Sequence, residues 1–196
     1  MNEKEKFYAK NNMNWGHRWG YKDSEFVLNQ DRSVSMTGKR YEICGIKMPD
    51  FIPYVEEMLG VSIDPDDKLE ENDDKIVKDP KINEPFYNSI QSNFSKDRFT
   101  FDNGERLLHS QGQTTDEVHK AMYSSIDKII DMVFYLESHE EAEKLIQLAI
   151  KHDVCLIPYG GGTSVSNALQ IPINEKRMVV AVDTRRMNEI ESIDIH

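Results

Sequence analysis

Between Tyr159 and Val165 the chain runs Gly160-Gly161-Gly162-Thr163-Ser164. Residues of these types can hold a diphosphate. Positions without side chains let main-chain amides converge on its oxygens, and two hydroxyls beside them add further donors. No lysine follows the glycines, so the GxxxxGK[ST] loop is excluded, and their contiguity excludes the GxGxxG spacing of dinucleotide folds. Binding through amides and hydroxyls is neutral and suits a dinucleotide that stays bound. A plain flexible turn would carry the same glycines. The diphosphate reading gains its weight from position, at the carboxyl end of an expected strand, where open α/β sheets take their ligands. The candidate site is therefore Pro158, Tyr159, Gly160, Gly161, Gly162, Thr163 and Ser164. In a chain extended to full length Gly161→Val is expected to abolish ligand retention while leaving most of the fold intact, because a β-branched side chain there would fill the ligand's space and resist any positive φ the turn demands.

Other groups with chemical potential read more plainly. His109, His119, His139 and His152 fall on different expected elements with no ligand spacing, and a cation at His152 suits the end of a helix. Cys44 and Cys155 belong to no CxxC or Cys/His cluster. Arg185 and Arg186 could reach a phosphate from a strand end, with solvent exposure as the default expectation. Trp15, Trp19 and Tyr21 could stack bases, but a net charge of −11 removes the basic groove such stacking needs, so they read as packing residues at an interface. The same charge, with a pI near 5.0, argues against nucleic acid and anionic membrane as partners of the whole chain.

These groups must be positioned, and the regular signals lie in the last seventy or so residues. Residues 128–136 form a near-continuous apolar run, the mark of a strand covered on both faces. Ser138 and Glu141 have the spacing of a capping box. They introduce a helix over residues 140–151 whose apolar positions are Ala142, Leu145, Ile146, Ala149 and Ile150. A strand at 154–158 follows, so the order predicts a right-handed βαβ unit with parallel strands. Residues 178–182 make a third strand, and 189–195 the start of another. Upstream, Phe51, Tyr54, Val55, Met58 and Leu59 repeat at helical spacing before Gly60, which predicts a short helix closed by a left-handed glycine and seeking a partner for one face. Residues 64–79 are rich in Asp and Glu and read as a solvated linker. They lack the central glycine and terminal glutamate of a calcium loop. The division expected is a first region at 1–63, the acidic linker at 64–80, an irregular and partly helical segment at 81–125, and an α+β binding domain beginning at 126 and incomplete at 196. With 38% hydrophobic residues, no apolar window long enough to span a bilayer and no secretory signal, a soluble chain is expected.

The succession Pro158-Tyr159-Gly160-Gly161-Gly162-Thr163-Ser164-Val165, behind the capped helix and two strands, resembles the pyrophosphate-binding segment of the vanillyl-alcohol oxidase type of FAD flavoproteins, whose FAD-binding domain is also called PCMH-type. Trp15-Gly16, Trp19-Gly20-Tyr21-Lys22-Asp23-Ser24-Glu25-Phe26, Thr37-Gly38-Lys39-Arg40-Tyr41 and the Met48-Pro49 helix narrow the resemblance to the alkyldihydroxyacetonephosphate synthases, also called alkylglycerone-phosphate synthases. Tyr135-Leu136 replaces a Trp-Pro or similar pair of that family, and Tyr159 replaces a more hydrophobic residue. The resemblance implies FAD as cofactor, and acyl-dihydroxyacetone phosphate and a long-chain fatty alcohol as substrates. In that chemistry a flavin ring nitrogen attaches to the dihydroxyacetone carbon, the fatty acid leaves and the alcohol replaces it, which begins ether-lipid synthesis in peroxisomes. It also leaves room for a homodimer and a peripheral membrane contact. The family's catalytic groups fall beyond residue 196, so no catalytic residue is assigned here. The expectation is an amino-terminal portion of a synthase, inactive by itself. The other reading is a short product that binds no flavin and acts as an interaction module.

Overall fold

The computed structural model describes residues 20–64, 66–67, 77–190 and 192–194. Trp15, Trp19, most of the acidic linker and the last two residues lie outside them. The chain divides into two units, Met1–Asn72 and Asp73–His196.

In the first unit, β1 (Phe26–Leu28), β2 (Val34–Met36) and β3 (Lys47–Met48) form an antiparallel sheet in the order β1-β2-β3. Helix α1 (Phe51–Leu59) follows, and Gly60 closes it at φ 64°, a left-handed conformation that glycine adopts without a Cβ penalty. Of its residues only Ile52 is buried, whereas Phe51, Tyr54, Met58 and Leu59 are exposed within the chain. The apolar stripe expected of this helix is present, and among the described residues Phe51 stacks on Phe26 while Tyr54, Met58 and Leu59 stay exposed.

The second unit holds the site. Helix α2 (Glu84–Asn93) starts at Asn83, whose side chain accepts from the Phe86 amide, with Pro85 in the first turn where its missing N–H costs nothing. After a short 3-10 turn at Lys96–Arg98 come β4 (Phe99–Thr100), α3 (Asn103–Leu108), α4 (Thr115–Tyr123), β5 (Met132–Tyr135), α5 (His139–His152), β6 (Cys155–Tyr159) and β7 (Val179–Asp183). The sheet order is β4-β5-β7-β6, with β7 parallel to both β5 and β6 and β4 antiparallel to β5. The strand, helix, strand unit is thus present with parallel strands, but β5 and β6 are not neighbours. The third strand lies between them. No strand forms over the described residues of 189–194.

Alternation across the two central strands builds two cores. Met132, Phe134, Val180 and Val182 face α2 and α5, where they meet Phe86, Ile90, Leu145 and Ala149, all at most 8% exposed. Val133, Val179 and Ala181 face the other way and meet Ile157, Tyr159, Leu169 and Ile171. Burial on both faces is what the continuous apolar run at 128–136 predicts, at roughly 1.5–3 kcal/mol for each large side chain. The second face meets coil from the stretch between β6 and β7, through Leu169 and Ile171, and the short helix α3, whose Arg106 Nε donates to the Ile130 carbonyl at 2.8 Å.

Two expectations for α5 need correction. Ser138 does cap it, accepting from the Glu141 amide at 3.2 Å, but Glu141 accepts from the amide of Glu137 at 2.9 Å and not from that of Ser138. The buried stripe is also rotated. Leu145 and Ala149 are buried and Ala142 and Leu148 pack at the edge, whereas Ile146 and Ile150 are 49% and 77% exposed. The reason is α2, which packs on the Leu148 and His152 side: Asn83 donates to the His152 carbonyl, and Ser89 Oγ lies 3.1 Å from His152 Nε2.

Candidate functional site

The parallel strands β5, β7 and β6 end level with one another, because Tyr135, Asp183 and Tyr159 are partners in the register. Pairing continues one step further: Leu136 N donates to Asp183 O at 2.8 Å and Thr184 N to Tyr159 O at 3.0 Å. The glycine loop leaves β6 at this edge, and Thr184-Arg185-Arg186 leaves β7. Rigid strand ends therefore set the origin of both segments.

Within the loop, Gly160, Gly161 and Thr163 are exposed, Gly162 is buried and Ser164 is half-buried. Gly162 alone of these glycines has a positive φ, 72°. A Cβ there would strike the Tyr159 hydroxyl and lie 2.7 Å from Tyr159 Cζ, whereas one on Gly161 would meet the Thr163 side chain at 3.9 Å or more. The position that requires glycine for its own conformation is thus Gly162 and not Gly161. Gly160 and Gly161 instead leave an open surface of main chain, which fits a diphosphate drawn up against amides. Ser164 Oγ accepts from Ala168 N at 3.2 Å, so its proton is left to donate.

Tyr159 turns inward beneath the loop at 4% exposure. Burial pushes its phenol up to about 12, so it is a neutral hydroxyl at any physiological pH. Its ring lies 4.2 Å from that of His109, centre to centre. His109, fully buried, donates from Nδ1 to the Glu105 carbonyl at 2.7 Å and places Nε2 2.9 Å from Asp183 Oδ2. Asp183 also receives the Arg185 amide at 2.8 Å and Arg185 Nε at 2.8 Å. Burial would raise the Asp183 carboxyl, but the hydrogen bonds from His109 and Arg185 outweigh it and hold the group below its ordinary value. Tyr135 closes the cluster by donating to Glu105 Oε2 at 2.9 Å, and burial beside Glu105 raises its phenol as well.

Arg185 and Arg186 are therefore not solvent-exposed, as their dipeptide suggested. Their side chains are 18% and 12% exposed. Arg185 is bound back onto Asp183. Arg186 lies over the Tyr135 ring at 4.5 Å and within 3.4 Å of Glu137, which Arg98 also bridges. Sequence reading missed His109 and Asp183 as a pair. A carboxylate closing an otherwise apolar strand was the available signal, since such a group needs buried partners. Of the four histidines weighed as ligands, His139 pairs with Glu143 on the surface and His119 lies against Tyr123. Among the described residues no group of His, Cys, Asp and Glu could hold a metal.

Comparison with known proteins agrees with this geometry. A family model described as an FAD binding domain matches residues 130–196. The chain is 36% identical over 176 residues to an alkyldihydroxyacetonephosphate synthase of Caenorhabditis elegans, covering 90% of this chain and 29% of that protein. It is 32% identical over 121 residues to the synthase of the same name from Trypanosoma brucei brucei, covering 61% of this chain and 20% of that one. A solved alkyldihydroxyacetonephosphate synthase structure superposes with a TM-score of 0.79 at 25% identity, over 93% of this chain and 34% of its own. The resemblance to these synthases seen in the sequence is borne out, and the mixed helix and sheet fold is that of their FAD-binding region. The chain spans between a fifth and about a third of the length of these relatives, 20% to 34%.

Proposed function

We propose that this chain is the flavin-diphosphate-binding part of an alkyldihydroxyacetonephosphate synthase, with residues 126–196 as the front of its FAD-binding domain. The observation that carries this reading is the open main-chain surface of Gly160 and Gly161 at the carboxyl edge of three strands, above a buried Gly162. Pro158 and Tyr159 hold the base of the loop. Gly160 to Gly162 supply amides, and Thr163 and Ser164 supply hydroxyls, to the oxygens of the FAD diphosphate. When bound, the flavin supplies the ring at which the acyloxy group of acyl-dihydroxyacetone phosphate is exchanged for a fatty alcohol. This chain's residues bind and orient it. No catalytic residue is assigned among them, and the purified chain is expected to be inactive as a synthase. Homodimerisation, peripheral membrane contact and a peroxisomal location belong to this same reading through the synthase likeness.

Equilibrium dialysis of the purified chain tests the reading. FAD and ADP, which share a diphosphate, should compete for one site, and riboflavin, which lacks it, should be weaker by at least about tenfold. Retention of riboflavin as well as FAD, or retention of neither FAD nor ADP, would overturn it.

A further inference from the structure

The glycine loop is gripped from a second direction by residues outside the segment 130–196 that matches the FAD-binding family. Gln113 N donates to the carbonyl oxygen of Ser164 at 2.7 Å. The preceding residue, Gly112, approaches the same carbonyl so closely that an added Cβ would strike its oxygen and lie 3.2 Å from Ser164 Cβ. Its φ is not in the left-handed region, so glycine is needed here for closeness and not for backbone freedom.

The grip is itself built from the start of α4. Thr114 caps that helix by accepting from the Glu117 amide at 3.1 Å, and Glu117 Oε2 accepts in return from Thr114 N and from its hydroxyl. The other oxygen, Oε1, accepts the Gly112 amide at 3.0 Å. Glu117 is 7% exposed, so this carboxylate sits in a fixed position with three main-chain and hydroxyl donors around it. A rigid helix start thereby holds Gly112 and Gln113, and these hold Ser164.

We propose that Gly112 and Gln113 are positioning residues for the diphosphate site, an inference that rests on reading the glycine loop as that site. The chemistry is one of polarity. A carbonyl oxygen turned toward a diphosphate would repel it, whereas amides attract it. By engaging the Ser164 carbonyl, Gln113 N occupies that acceptor and fixes the end of the loop that carries the exposed amides of Gly160, Gly161 and Thr163. Because the bond comes from main chain, it depends on the closeness that Gly112 permits and not on the Gln113 side chain.

The test compares Gly112→Ala, Glu117→Gln and Gln113→Ala with the parent, measuring FAD and ADP affinity by dialysis and amide hydrogen exchange by NMR. Gly112→Ala and Glu117→Gln should each raise the dissociation constants for FAD and ADP together, by about tenfold, and speed exchange at Gln113 by a similar factor. Exchange at the central strand amides of Val180 and Ala181 should stay within about twofold, which separates positioning from general loss of fold. Gln113→Ala, which keeps the N–H, should resemble the parent. If the parent binds both ligands and both Gly112→Ala and Glu117→Gln leave affinity and Gln113 exchange within about twofold, the positioning role is wrong and the site assignment stands. If Gly112→Ala does not fold, Glu117→Gln decides by the same readouts. A parent that binds neither ligand overturns both.

Discussion

Replacing Gly162 by alanine puts a number on how tightly the loop is bound to the sheet. Two costs add. A residue with a Cβ held at φ 72° gives up roughly 1–2 kcal/mol relative to glycine. The new methyl would also strike the hydroxyl and approach Cζ of Tyr159 to 2.7 Å, and that ring is 4% exposed with the His109 ring 4.2 Å away, centre to centre. Displacing a packed ring of this kind costs about 1–3 kcal/mol. The expected destabilisation is about 2–5 kcal/mol, a large share of the 5–15 kcal/mol typical of a domain. With a urea slope near 2 kcal/mol/M, the unfolding midpoint should fall by roughly 1–2.5 M. Gly161→Ala is the control, since its methyl would make only an ordinary contact at 3.9 Å, and its midpoint should move by less than about 0.3 M. Gly162→Ala should also cost less in a Tyr159→Phe background, where the nearest atom is gone. Equal midpoints for Gly161→Ala and Gly162→Ala, or a Gly162→Ala protein as stable as the parent, would refute the argument.

Asp183→Asn should destabilise by about 3 kcal/mol in thermal or urea unfolding near pH 7, because it removes the carboxylate shared by buried His109 and Arg185. The same group sets an acid limit. Its folded-state pKa lies below the ordinary 3.8, so its contribution is fully present above that value and is lost as pH falls through the lowered one; the parent should weaken more steeply than Asp183→Asn below about pH 4. On α5, Leu145→Ala should cost about 2–5 kcal/mol and Ile150→Ala less than about 0.5, since the first is fully buried and the second 77% exposed, and urea midpoints of the pair give the comparison.

Local chemistry was legible in the residues themselves. The run at 128–136, the Ser138 cap, the helical spacing after it and the strand before the glycines each arise from interactions within a few positions along the chain, so their order can be read directly. The same is true of Gly60, whose left-handed closure of α1 needs only the end of its own helix. The proposed diphosphate role of the glycine loop rests on a similar reason: a chain that brings amides to a diphosphate must leave side chains out, and that is a matter of composition.

What the residues could not disclose was which of several locally equivalent choices long-range packing would take. Three contiguous glycines look alike until Tyr159 folds beneath one of them, and only then does the demand for a missing Cβ settle on Gly162. Ile146 and Ile150 suit the helical stripe as well as Leu148 does, until α2 packs on one side of α5 and leaves the other open. β7 follows β6 in the chain yet lies between β5 and β6, because parallel pairing on both its edges and burial on both its faces reward the most apolar strand for taking the centre. His109, Gly112 and Arg185 gain their roles from partners 74, 52 and 76 positions apart or nearer in the fold than in the chain: His109 meets Asp183, Gly112 meets Ser164, and Arg185 meets His109. Sequence determines the elements because their energies are local; the tertiary structure decides the site's contacts because a buried polar group or a close backbone approach is defined only by what the folded chain brings against it.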